Sequence, residues 1–230
     1  MTDTAGSDSR VIAIDGPSGT GKSSVAREVA RRLRAGYLDT GAMYRAVTLA
    51  VLEGGIDPAD SDAVADAAQD LRIEVVTDPE VERVLADGRD VTAEIRSPQV
   101  TAAVSAVSAV PGVRRRLVEQ QRRLAKDSTV VVEGRDIGTV VFPAAPLKIY
   151  LSADPAARAA RRAEQLGVIE PDRIAELAQS LRVRDELDSS RALSPLRPAE
   201  DAVLVDSTDL SQEEVVEAIL SAVLARGRCE

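Results

Sequence analysis

Residues 11–24 read Val-Ile-Ala-Ile-Asp-Gly-Pro-Ser-Gly-Thr-Gly-Lys-Ser-Ser. A short apolar run ends in Gly-x-x-x-x-Gly-Lys-Ser and passes directly into an amphipathic helical pattern. Gly16, Gly19 and Gly21 let the backbone turn tightly enough to aim its N–H groups at phosphate oxygens. Lys22 adds a point charge, and Ser23 offers a hydroxyl to Mg²⁺. A helix starting near Lys22 directs its unpaired amides and the positive end of its dipole at the same anion. Strand, glycine-rich loop, Lys-Ser and helix occur in register, so the segment predicts a nucleoside triphosphate site made by Gly16, Pro17, Ser18, Gly19, Thr20, Gly21, Lys22, Ser23 and Ser24.

Working outward, further strands are expected at Tyr37–Asp39, Val130–Glu133, Leu147–Leu151 and Val203–Val205. Helical periodicity fills residues 23–34, 42–53, 112–125, 154–166, 172–184 and 212–225. This alternation predicts an α/β fold, a parallel sheet covered by helices on both faces. Asp154-Pro155 reads as an N-cap with proline at the first helical position, and Ser211 with Glu214 fits a capping box. Residues 66–106 break the rhythm. Arg72–Val76 and Glu82–Leu85 resemble short strands around turn-prone residues, followed by a helix over about 96–108, so a small inserted lobe is expected there.

The chain has 230 residues, 44% of them apolar, which suits one buried core. A net charge of −9, with one Phe, three Tyr and no Trp, opposes a nucleic-acid polymer as partner, which needs a basic surface and stacking rings. Residues 1–9 are acidic and polar, unlike a signal peptide, and read as a tail. No apolar run is long enough for a bilayer, so a cytoplasmic protein is expected. The single cysteine, Cys229, excludes internal disulfides and Cys-rich metal sites. Histidine is absent, which removes the commonest general base. Phosphoryl transfer onto an already ionised phosphate fits that restriction, because it requires positioning and charge neutralisation more than proton abstraction.

Three segments are candidates for the acceptor. In Leu38-Asp39-Thr40-Gly41-Ala42-Met43-Tyr44-Arg45, a helix N-terminus and Arg45 could hold a second anion, or simply form a capped helix with a solvated arginine. Glu133-Gly134-Arg135-Asp136 follows an apolar strand, where open α/β sheets bind ligands; the alternative is a surface ion pair. Arg158, Arg161, Arg162, Arg182, Arg184, Arg191 and Arg197 are dense enough to supply cations over a transferring phosphoryl, although most such residues line solvated helix faces.

Taken together, IDGPSGTGKSS at 14–24, LDTGAMYR at 38–45, EIRSPQV at 94–100, PGVR at 111–114, EGRDIGTVVFP at 133–143 and RDELDSSRALSPL at 184–196 resemble the bacterial cytidylate kinases. These are nucleoside monophosphate kinases that pass a phosphoryl group from ATP to CMP or dCMP. The resemblance covers nearly the whole chain. It implies a P-loop NTPase-type domain over residues 10–230, with an inserted nucleotide-binding lobe at 66–106, a helical lid at 155–170, Mg²⁺ as cofactor and a monomeric state. It further implies that Thr40, Arg45, Arg135 and Arg191 hold the acceptor phosphate, that Arg184 and Asp188 contact the ribose, and that Ser105, Arg114 and Asp136 read cytosine. Tyr44 and Gly134 complete the CMP site, and Lys22, Arg158, Arg162 and Arg191 form the catalytic set, with Arg158 and Arg162 on the mobile lid. A kinase for another small acceptor, or an ATP-binding regulatory protein without one, are the competing readings.

Overall fold

The computed structural model describes residues 10–126 and 128–226; the expected tail at 1–9 and Cys229 lie outside them. In chain order the main elements are β1 Val11–Asp15, α1 Lys22–Leu33, β2 Gly36–Asp39, α2 Thr40–Glu53, α3 Ser61–Asp70, β3 Ile73–Val75, β4 Val84–Ala86 and β5 Arg89–Asp90. They continue with α4 Pro98–Ala109, α5 Pro111–Leu124, β6 Val130–Gly134, β7 Leu147–Ser152, α6 Pro155–Leu166, α7 Pro171–Ser189, β8 Val203–Asp206 and α8 Gln212–Arg226. A single wide turn at Ile137–Val141 follows β6.

Five strands form a sheet in the order β2-β6-β1-β7-β8, every pairing parallel. The central strands β1 and β6 are buried along their whole length, as expected of strands covered on both faces by helices. One side packs Val11, Ala13, Leu38, Val130 and Val132 against α2, α4 and α5; the other packs Ile12, Ile14, Val131, Ile149 and Leu151 against α1 and α8. Register aligns Asp15 with Gly134 and Asp39 with Glu133. The carboxyl ends of β1, β2 and β6 therefore finish at one rim, where the loops carrying chemistry emerge.

A second, antiparallel sheet of β3, β4 and β5 stands apart from the first. The segment expected as an insert, 66–106, begins inside α3. That helix escapes the sequence reading because only Val64 and Ala68 of its ten residues are buried. The helix expected from 96 starts at Pro98, since Ser97 caps it by accepting from the Val100 amide. Asp154 caps α6 through the Ala156 amide at 2.8 Å. Ser211 and Glu214 close a reciprocal capping box. Among the described residues, no helix is long and apolar enough to cross a membrane.

Candidate active site

The loop between β1 and α1 is shaped by close approach. A Cβ at Gly16 would stand 2.1 Å from the Leu151 carbonyl oxygen, and φ there is +150°; only glycine fits. Gly21 then caps α1 in a left-handed conformation, φ 86°. Lys22 is 6% exposed and its ammonium donates to the Pro17 carbonyl at 2.6 Å, beside the Thr20 hydroxyl at 3.1 Å from the same oxygen. Burial, followed by repulsion from Arg135, holds the Lys22 ammonium well below the ordinary lysine range. Ser23 and Ser24 are exposed at the helix start. Ser23 also lies against the Glu133 carboxylate, whose pKa burial raises, with the negative charge of Asp39 adding to the effect. Beneath the loop, the Asp15 carboxylate accepts from the Ile137 and Gly138 amides, each at 2.8 Å.

Around this loop gather cations in excess of carboxylates. Arg184, on α7, has its pKa lowered to about 9, first by burial and then by Arg135 and Arg45. Arg45, on α2, is lowered to about 10 by burial, with Arg96, Arg162 and Arg135 opposing its charge in the same direction. The Nε atoms of Arg184 and Arg191 are buried without a hydrogen-bond partner. Asp188 partly offsets the cluster by accepting from Arg135 Nε at 2.9 Å and from Arg191. Burial raises its pKa, but Arg135, Arg191 and Arg184 outweigh that and hold it below the usual carboxylate value. Mutually repelling, desolvated guanidinium groups of this kind make a site for a multiply charged anion.

Arg45 is partly committed within the protein, donating to the Ile95 carbonyl at 3.0 Å and to the Thr101 hydroxyl at 2.9 Å. Thr40 differs from the expected phosphate contact. Its hydroxyl proton goes to the Glu133 carbonyl at 2.7 Å, tying α2 to β6 beside Gly134, so the hydroxyl retains only accepting capacity.

Next to the cations, Arg114 from the first turn of α5 is ion-paired with Asp136, both side chains 6% exposed. The Asp136 pKa is raised because burial outweighs the Arg114 charge. The Arg114 guanidinium lies 5.5 Å from the centre of the Tyr44 ring and also donates to Ser194 Oγ at 3.2 Å and the Ser108 carbonyl at 3.3 Å. Ser105 is not hydrogen-bonded to this pair: its carbonyl accepts from Ser108. Ser108 and Ser194 hold Arg114 instead. Ser108 is one turn further along α4 and also receives Arg191 at 2.8 Å.

The first turn of α6 departs from expectation as well. Arg158 is 7% exposed and donates to Ala153 O at 3.2 Å, Ser18 O at 3.1 Å and the Asp185 carboxylate. Following β7 so closely, it is packed onto the phosphate loop rather than carried freely on a lid. Arg162, one turn on, is half-buried; it reaches Gln165 at 3.3 Å, and its charge is felt at Arg45.

Residues 12–225 match the family model described as cytidylate kinase. The chain belongs to the cytidylate kinase family. The cytidylate kinase of Rhodococcus opacus (strain B4) is 57% identical over 220 residues, covering 95% of this chain and 96% of that one. The cytidylate kinase of Mycobacterium avium (strain 104) is 54% identical over 219 residues, or 94% of this chain and 96% of that one. A gluconokinase crystal structure from Sinorhizobium meliloti 1021 is similar with a TM-score of 0.46 at 18% identity, covering 96% of this chain and 95% of that one.

For this cytidylate kinase family member, three contributors were missed by sequence reasoning: Ser108, Ser194 and Asp185. Ser194 gave no local signal in the sequence; in the structure it takes φ +55°, a conformation that costs energy and collects at functional sites.

Proposed function

We propose that this chain transfers the γ-phosphoryl group of ATP to CMP or dCMP, giving ADP and CDP or dCDP. The observation that carries the acceptor assignment is the buried Arg114–Asp136 pair beside an arginine cluster. Cytosine presents an amino donor beside two acceptors. Asp136 accepts from the amino group, and Arg114 donates toward the ring nitrogen and carbonyl; uracil reverses the first two positions and would meet Asp136 with a lone pair.

The loop amides and Lys22 hold the triphosphate, while Arg45, Arg135 and Arg191 hold the acceptor phosphate, and Arg184 with Asp188 faces the sugar. An ionised oxygen of the CMP phosphate attacks the γ-phosphorus in line. The bond from that phosphorus to the β–γ bridging oxygen breaks, and ADP leaves with the electron pair. No base is required, in keeping with a chain that has no histidine. Arg162 and the arginine cluster neutralise the charge that spreads over the moving phosphoryl. Within the segment 155–170, the part beyond the anchored first turn that holds Arg158 acts as the lid that excludes water, the competing acceptor.

Mg²⁺ fits the donor set here. Ser23 presents an exposed hydroxyl next to the Glu133 carboxylate, hard oxygen groups suited to an ion that keeps most of its ligands as phosphate and water. Among the described residues, no group of three or more acidic, cysteine or histidine side chains gathers to hold a metal. The ion would supply charge neutralisation on the donor phosphates. We further propose a monomer acting in the cytoplasm.

Coupled ADP release with ATP and Mg²⁺ tests the reading, comparing CMP, dCMP, UMP, dTMP and no acceptor. Turnover with CMP and dCMP alone is expected. Equal turnover with UMP would remove Arg114 and Asp136 from base selection, and acceptor-independent hydrolysis would remove the acceptor site altogether.

A further inference from the structure

Ser18, within the phosphate loop, is held at all three of its polar groups by residues distant in sequence. Its amide donates to Asp185 Oδ1 at 3.3 Å, its carbonyl accepts from Arg158 Nη1 at 3.1 Å, and its hydroxyl receives Arg135 Nη2 at 2.7 Å. Asp185 also binds Arg158 through its other oxygen, so one carboxylate grips both the loop and the arginine that caps the loop carbonyl. The side chains of Arg158 and Asp185 are 8% and 18% exposed, respectively, a largely desolvated pair. Packing is equally close: a Cβ at Gly19 would lie 3.2 Å from Arg158 Cβ and 3.5 Å from Leu181 Cδ1 of α7.

The connection continues along α7. Asp188, one turn beyond Asp185 on the same face, takes Arg135 at 2.9 Å, and Arg135 returns to the Ser18 hydroxyl. A closed ring thus runs from Ser18 to Asp185, along α7 to Asp188, to Arg135 and back to Ser18. It joins the donor loop to the acceptor arginines through a single helical turn.

We propose that Asp185 is a positioning residue of the donor site, ordering the Ser18 turn of the phosphate loop and the Arg158 guanidinium around the triphosphate. The role is indirect. A carboxylate is a poor direct ligand for phosphate, and its negative charge beside the loop would by itself weaken anion binding. Its retention on the loop amide is explained if ordering Ser18 and Arg158 outweighs that repulsion. The inference rests on reading the loop as the ATP site, but not on the identity of the acceptor.

The opposing signs give a decisive experiment: ATP binding by titration calorimetry, with steady-state kinetics in both substrates, for wild type, D185N and D185A. Asparagine can still accept from the Ser18 amide but turns a donor toward Arg158; alanine loses both contacts. The expected result is graded. ATP Kd and KM rise several-fold in D185N and by about 10- to 100-fold in D185A, as misplaced groups at a phosphate site do, with KM for CMP within about twofold of wild type. Tighter or unchanged ATP binding in D185N would overturn the role, leaving Asp185 a repulsive or idle charge. A parallel rise in both KM values with a lowered Tm would also overturn it, as general loosening of the fold. If D185A fails to fold, D185N alone decides. Weakened ATP binding in D185N with no CMP-dependent turnover in wild type would uphold Asp185 while removing the kinase reading.

Discussion

Arg114 and Asp136 are ion-paired inside the protein, each side chain 6% exposed, and Ser194 hydrogen-bonds the same guanidinium. The two groups satisfy one another, and under the proposed function their remaining valences face the cytosine base. Asp136→Asn keeps the shape and one acceptor but places an amide where only acceptors stood. CMP kcat/KM should fall by about 10- to 100-fold, and the CMP-to-UMP ratio should drop at least about tenfold. Parallel progress curves on the two nucleotides measure this; an unchanged ratio would sink the base-reading role. Asp136→Ala is the poorer probe, because an uncompensated buried arginine costs about 3–5 kcal/mol.

Lys22 is buried with its ammonium on a backbone carbonyl and repelled by Arg135. Lys22→Met preserves the stem and removes the desolvated charge. Stability should stay level or rise, while kcat falls by at least about 100-fold through loss of a preorganised cation. Thermal unfolding and turnover on the same preparation check both halves. A lowered Tm with little loss of turnover would mean that Lys22 serves the fold instead.

Asp15 is 4% exposed, and burial pushes its carboxyl up to about 6 against the pull of the Gly138 and Ile137 amides. The folded chain therefore binds this proton more tightly than the unfolded chain, whose value is the ordinary 3.8. The stabilisation is complete below that value and is lost as pH rises through about 6, a contribution of about 3 kcal/mol. Carbon-13 NMR of the Asp15 carboxyl should give a midpoint near 6. Unfolding free energies should fall more steeply from pH 4 to 6 in wild type than in Asp15→Asn. A midpoint at or below 4 would show the two amide hydrogen bonds prevailing over burial.

Gly16→Ala would place a methyl group 2.1 Å from the Leu151 carbonyl oxygen. Backbone cannot rotate away as a flexible side chain can, so β7 and the loop must separate. A loss of about 2 kcal/mol or more is expected from such overpacking, together with weaker ATP binding. Urea unfolding measures the first and calorimetry the second; wild-type values in both would mean the strands tolerate the shift.

Much of the fold is legible in linear order. The runs 11–14 and 130–132 are apolar without interruption because both faces of their sheet are covered, 147–151 is broken only by Lys148, whose ammonium reaches Pro143 O and Asp201, and each forms the expected strand. α3 was not legible, since only Val64 and Ala68 carry its buried face. Neither was β5, whose two residues are both exposed. At the site, Lys22 and Asp136 stand out by motif and position, whereas Ser108 gives no local sign that it will receive Arg191.

By itself, the sequence determined the parallel sheet, the phosphate loop and its helix, and the segments whose loops meet at one rim. Contiguous apolar runs, glycine geometry and helix caps act over a few residues and so can be read locally. Only the tertiary structure decided which arginine meets which carboxylate. Ser18 and Asp185 are 167 residues apart in the chain, and Arg114 meets Ser194 across 80. Strand register brings Asp15 level with Gly134 and Asp39 level with Glu133, and α7 lays Asp185 and Asp188 across the rim. Long, flexible guanidinium side chains then pair according to distance and desolvation in the folded chain, quantities that no local pattern encodes.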